Sequence, residues 1–191
     1  MCGSLGHESV NRMALFRATE RLSSQGVVVT GVPLSGVPIF DPSLVDDPPS
    51  EVDRMQQLLE AADGVILAAP EYAGGLAGGM KNALDWLVGS SSLYRRPIVV
   101  LSAGTTGGEF AIEQLVRTLS WQGALTVGTL GISAPLTKLR QGVGFVDEPT
   151  LQAIEWWADE LVAAMSMGPA ALLQRVAEVV APFGIDPARF G

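Results

Sequence analysis

The residues able to do chemistry gather in two glycine-rich stretches, Pro70-Glu71-Tyr72-Ala73-Gly74-Gly75-Leu76-Ala77-Gly78-Gly79 and Ala103-Gly104-Thr105-Thr106-Gly107-Gly108. Glycines leave backbone N–H groups uncovered by side chains, so both stretches can present donors to a ligand. Tyr72 adds an aromatic ring of the kind that lies against a flat ligand. Other chemistries lack their residues. One histidine and one cysteine, Cys2, leave no spaced set of metal ligands and no internal disulfide. No Gly-x-Ser-x-Gly elbow occurs, so a hydrolase triad has no support. The pattern is that of a ligand loop.

The flanking residues say what positions these stretches. Asp63-Gly64-Val65-Ile66-Leu67-Ala68-Ala69 is apolar without alternation, as in a strand buried on both faces of a parallel sheet. After it, Met80, Ala83, Leu84 and Leu87 mark one face of a helix. Residues 97–102 form a second buried-strand run, followed by a helix with Ala111, Ile112, Leu115, Val116 and Leu119 inward. Open α/β sheets bind ligands at such turns, at the carboxyl ends of their strands. A plain tight connection explains the second turn less well than a ligand role.

The rest of the chain alternates in the same way. Ser9 is a helix N-cap, with Val10, Ala14, Ala18 and Leu22 along one face. Residues 27–34 are β-branched and read as a strand; residues 35–49 read as a loop, Asp46 and Asp47 being a solvated turn. Ser50 and Asp53 resemble a capping box for a helix with Val52, Met55, Leu58, Leu59 and Ala62 inward. Residues 124–132 form the last strand and 137–145 a loop. Leu151, Ile154, Trp157, Leu161 and Met165 follow a helical period, with Trp156-Trp157 serving core and interface. Pro169 starts another helix, and residues 182–191 form a loosely packed tail.

Pro-Glu-Tyr, small residues, and then Lys81-Asn82-Ala83-Leu84-Asp85-Trp86 closely resemble the signature of the NADPH-dependent FMN reductase family. The resemblance implies a flavodoxin-like three-layer sandwich with a parallel sheet and FMN as cofactor. It implies NADPH or NADH as co-substrate, a small-molecule electron acceptor such as a quinone, and a homodimer or homotetramer with the helix of Asn82, Asp85 and Trp86 at its interface. Gly3-Ser4-Leu5 and Ser9-x-Asn11 resemble the family's phosphate loop, Gly-Ser-Leu-Arg-x-x-Ser-x-Asn. Hydroxyls, an amide and helix N-terminal N–H groups together suit a phosphate. The implied cofactor-binding residues are Ser4, Ser9, Val10 and Asn11 for the phosphate. For the ring they are Pro70, Glu71, Tyr72, Ala73 and Gly74, with Gly104, Thr105 and Gly107 from the second turn. Two departures stand inside the motifs, Gly6 in place of Arg and Ala73 in place of Asn. Glu8 adds an acid beside the phosphate loop, and His7 reads as a solvated loop residue.

No side chain is assigned a catalytic role, because in a flavoenzyme the cofactor carries the reaction. The implied reaction is hydride transfer from nicotinamide to flavin N5, then to an acceptor on the same face. A helix N-terminus near the ring's pyrimidine edge would favour its anionic reduced form. Two other readings compete. A flavodoxin-like electron carrier would show a Thr/Ser-rich phosphate loop, which is absent; a flavin-free relative is motivated by Gly6, Ala73 and the short N-terminus.

The chain has 191 residues, 48% of them hydrophobic, 17% charged, with a formal net charge of −8. That composition suits a buried core and gives no basic patch for nucleic acid. No charged-then-apolar leader and no apolar run of about 18 residues occurs, so neither secretion nor membrane spanning is expected; with one cysteine, a reducing cytoplasm fits. The expected organisation is a flavin-binding domain over residues 1–168 and a helical extension over 169–191. A strand needs about five or six residues, and only Met1 and Cys2 precede Gly3. The first strand is therefore missing from this stretch, and the expectation is that the natural chain starts upstream with an apolar strand.

Overall fold

A computed structural model describes residues 1–6 and 8–191; His7 lies outside the described residues. In chain order the elements are α1 (Val10–Ser24), α2 (Ser50–Glu60), β1 (Val65–Ala68) and a small hairpin of β2 (Glu71–Tyr72) and β3 (Gly75–Leu76). Then come α3 (Gly78–Trp86), β4 (Pro97–Gly104), α4 (Glu109–Trp121), β5 (Leu125–Ser133), a second small hairpin of β6 (Leu139–Arg140) and β7 (Gly144–Phe145), α5 (Glu148–Met165) and α6 (Pro169–Val180). β1, β4 and β5 form a parallel sheet in that order. Helices cover both faces, α1 and α5 packing on each other and on the sheet, and α4 packing on β4 and β5. The fold is the expected flavodoxin-like three-layer sandwich.

Each apolar run is buried as its lack of alternation requires: Val65, Ile66, Leu67 and Ala68 throughout β1, and β4 from Pro97 to Ala103. β5 carries a bulge at Val127, between the pairs Ile98–Thr126 and Val99–Gly128. The bulge takes the Val127 carbonyl out of the ladder, and Arg175 of α6 donates to it from Nε at 2.9 Å. Trp157 of α5, fully buried, donates its indole N–H to Val100 O at 3.0 Å. The helices α5 and α6 are thus tied to the sheet's own backbone.

Residues 1–3 lie along β1 as a single rung of the first strand. Met1 N donates to Ile66 O at 2.7 Å, Ala68 N to Met1 O at 3.0 Å and Gly3 N to Ala68 O at 2.7 Å. Residues 27–34, expected as a strand, form none; Val28 is 90% exposed. In this topology that run pairs only with the first strand, and one rung at the strand's far end offers it no ladder. A cleft of about 720 Å³ lies there, lined by Met1, Leu22, Val27, Val32, Leu59 and Ile66 among others.

Smaller expectations also change. Pro49, not Ser50, is the N-cap of α2, and no side chain caps it; the Ser50 hydroxyl bonds Glu51 instead. The 137–145 loop contains the β6–β7 hairpin. The tail is pinned rather than loose: Phe190 is buried, its carbonyl accepts from Arg95 at 3.1 Å, and the Arg189 guanidinium lies 3.9 Å above the Trp121 ring.

Candidate functional site

Because β1 and β4 are parallel, the two glycine-rich turns leave the same, carboxyl, edge of the sheet side by side. The first turn folds into the β2–β3 hairpin, with Tyr72 opposite Gly75. Its two central residues, Ala73 (φ 52°) and Gly74 (φ 69°), both have positive φ, as a type I′ connection requires. The Tyr72 ring is left 62% exposed. The second turn ends at Gly107 and Gly108, both also at positive φ. A methyl group at Gly108 would stand 1.9 Å from the buried Ser102 hydroxyl, so no other residue fits.

Two side chains lock the turns together. Glu71 Oε2 accepts from the N–H groups of Phe110 and Ala111 at 2.9 and 3.2 Å. A carboxylate at the first turn of α4 satisfies orphan donors and complements the helix dipole, and it does so where the N-cap is a glycine with no side chain. These N–H groups are therefore held by Glu71 rather than free for a ligand. In return, Gln114 of α4 accepts from Leu76 N at 2.8 Å. No sequence signal marks Gln114 beyond its place one turn into the helix.

The N-terminal loop reaches the same edge. Ser4 is buried, and Ser9 is the N-cap of α1 with its hydroxyl making no cap bond. The first helical turn begins at Val10, and Arg12 Nη2 donates back to Ser4 O at 3.2 Å. Asn11 has a different environment from a phosphate ligand's. Its amide is buried, donating to Ala103 O at 2.9 Å and accepting from Ala103 N at 2.8 Å. It pairs the last residues of β4 past the end of β1, as a peptide group of a neighbouring strand would. Pro70 and Ala69 lie between these loops, and Gly3 packs against Ala69 and Met80, where a Cβ would come within 2.9 Å. Gly104 and Thr105 stand at the end of β4, Thr105 exposed.

The structure thus brings together Ser4, Ser9, Val10, Pro70, Glu71, Tyr72, Ala73, Gly74, Gly104, Thr105 and Gly107 along one edge. Asn82 and Trp86 turn elsewhere. Asn82 Nδ2 and Trp86 Nε1 both donate to Pro38 O at 2.8 Å, Asn82 Oδ1 accepts from Phe40 N, and the Phe40 and Trp86 rings meet edge to face at 5.1 Å. Trp86 is 3% exposed. It is a latch inside the subunit, which corrects its reading as an interface residue. A cleft of about 460 Å³ lined by Asp63, Arg95, Arg96 and Met165 lies at the opposite, amino, end of β4.

Residues 1–136 match the family described as NADPH-dependent FMN reductase. Among curated relatives, a quinone reductase of Escherichia coli K12 is 30% identical over 115 residues, 56% of this chain and 61% of that protein. The NAD(P)H-dependent FMN reductase PA1204 of Pseudomonas aeruginosa is 36% identical over 123 residues, 61% of this chain and 65% of that protein. The chain thus spans less than two thirds of the length of these relatives. Among solved structures, FerB, a flavoenzyme NAD(P)H:(acceptor) oxidoreductase of Paracoccus denitrificans, superposes with a TM-score of 0.70 at 25% identity, covering 86% of this chain and 94% of FerB. The NADH:FMN oxidoreductase EMOB shares the fold, with a TM-score of 0.64 at 17% identity and coverage of 88% and 89%.

Proposed function

Because the chain belongs to the NADPH-dependent FMN reductase family, we propose that it is an NAD(P)H-dependent oxidoreductase that uses FMN to reduce a small-molecule acceptor of the quinone class. The observation that carries this reading is the carboxyl edge, where both glycine turns and the start of α1 converge and Glu71 holds the turns in register. FMN suits the residues present. A methyl group at Gly78 or Gly104 would meet nothing within 4 Å, so space lies open before both turns, and Tyr72 stands exposed beside it.

When bound, FMN supplies the capacity to take a hydride from a nicotinamide and deliver it to a second acceptor. The protein's part is position. The Ser4 and Ser9 hydroxyls and the first-turn N–H groups from Val10 hold the phosphate. The backbone of Pro70, Glu71, Ala73 and Gly74, with Gly104, Thr105 and Gly107, lines the ring, and Tyr72 lies against it. Asn11 acts one step back, by fixing the end of β4.

Residues 1–168 carry this site in our reading, with 169–191 as a helical extension. The protein works in the cytoplasm, consistent with a single cysteine, Cys2, and with no described helix long and apolar enough to cross a membrane. It assembles as a homodimer or a dimer of dimers. With Trp86 internal, the support is the pair of exposed aromatics Tyr72 and Phe110 beside the site; a monomer by analytical ultracentrifugation, flavin bound, would refute it.

The test of function is direct. Purified protein supplied with FMN should oxidise NADPH or NADH in the presence of a quinone, with one hydroquinone formed per nicotinamide oxidised. A protein that binds FMN and oxidises neither nicotinamide is an electron carrier; one that binds no flavin leaves the reading without its cofactor.

A further inference from the structure

We infer that Arg12 is the cation of the phosphate-binding loop, and so selects FMN over flavins that carry no phosphate. The inference rests on the reading above, in which this loop takes the FMN phosphate. The loop itself supplies hydroxyls and N–H groups but carries an acid, Glu8, and a neutral Gly6, within a chain of net charge −8. A phosphate held there by hydroxyls and N–H groups alone is bound more strongly once a charged donor joins them.

The three arginines of α1 divide by direction. Arg17 is ion-paired with Glu155 of α5, and Arg21 makes a two-bonded fork on Asp159, 2.9 and 2.7 Å. Both are committed to holding α1 on α5. Arg12 pairs with no carboxylate among the described residues and is exposed. Side chains on a helix lean toward its N-terminus, and from the third position of α1 the Arg12 guanidinium reaches back to the loop, 3.2 Å from Ser4 O. A bond from one Nη to a neutral carbonyl leaves the guanidinium's other donors available to phosphate oxygens, which guanidinium binds by two charge-assisted bonds. The helix N-terminus and Arg12 then act on the same anion from one side.

The experiment titrates FMN and riboflavin, which lacks the phosphate, into the wild-type chain and into Arg12→Ala and Arg12→Lys, following flavin fluorescence at low and high salt. The expected result is that Arg12→Ala weakens FMN by about tenfold and flattens its salt dependence, leaves riboflavin unchanged, and that Arg12→Lys recovers part of the loss. Thermal unfolding without flavin should be the same in all three. Unchanged FMN affinity in Arg12→Ala overturns the inference and leaves the reductase reading intact. So does an equal loss of FMN and riboflavin, the mark of a merely structural arginine, or a wild type that binds the two flavins alike. A wild type that binds neither flavin overturns the inference and the parent reading together.

Discussion

Ala73 shows how one residue can be at odds with its place. It sits at φ 52° in the first central position of the β2–β3 turn, followed by Gly74 at φ 69°. An L-residue in the left-handed region costs about 1–2 kcal/mol, and asparagine bears that cost best. Asn-Gly is the preferred pair for such a turn, which gives a backbone reason for the asparagine that the resembling signature carries there. Ala73→Asn is therefore expected to stabilise the protein by about 1 kcal/mol, read as a higher urea midpoint at unchanged slope. Gly108 has the opposite tolerance. Positive φ alone costs a side chain about 1–3 kcal/mol, and the Ser102 hydroxyl occupies the space a Cβ would take. Gly108→Ala should destabilise by at least that amount in the same measurement.

At the scale of elements, the carboxyl edge is held by two polar side chains that work as substitutes for missing backbone. Asn11 satisfies both polar groups of Ala103, where β4 runs past β1. Asn11→Ala leaves a buried N–H and a buried C=O unpaired, at about 1–3 kcal/mol each, so a loss of at least about 2 kcal/mol in thermal or chemical unfolding is expected. Glu71 is the cap of α4 delivered from another element. Glu71→Ala should cost about 1 kcal/mol, as for loss of an N-cap, and hydrogen exchange should quicken at the Phe110 and Ala111 amides. Glu71→Gln keeps an acceptor oxygen and should fall between. Equal exchange at those amides in all three proteins would show that the clamp carries no load.

At the scale of the molecule, the fastening of α1 to α5 sets a pH dependence. The Arg21 fork holds the Asp159 carboxyl below its usual range, burial partly opposing and the Gln25 amide adding a further bond. Because the folded pKa is depressed, the unfolded chain binds more protons in acid, and the stability present above the ordinary carboxylate range is lost as pH falls through the folded value. Asp159→Asn should therefore be less stable than the wild type at pH 7 and lose less on acidification to pH 3. Urea melts of both proteins at pH 7, 5 and 3 check it, and parallel losses in the two would show that the pair carries none of the dependence.

Local pattern alone determined much of this protein. The unalternating runs of β1 and β4, the helical faces of α1 to α5 and the glycine turns between them are properties of neighbours in sequence, and burial followed them. The convergence of the two glycine-rich turns was equally legible, because turns that follow parallel strands land on one edge whatever the side chains do. Three matters were decided only by tertiary structure. Residues 27–34 have a strand's composition, but a strand exists only where a partner offers a ladder, and a single rung at residues 1–3 does not. Trp86, Asn82 and Asn11 carry groups that would serve an interface or a ligand equally well, and which donors and acceptors they met depended on the Pro38 carbonyl and the end of β4 arriving from distant sequence. Arg12 had no motif to mark it; its direction toward Ser4 follows from its turn of α1, while Arg17 and Arg21 on later turns found acids on α5. Spacing along the chain specifies local conformation, whereas the pairing of polar groups depends on which elements the fold brings face to face.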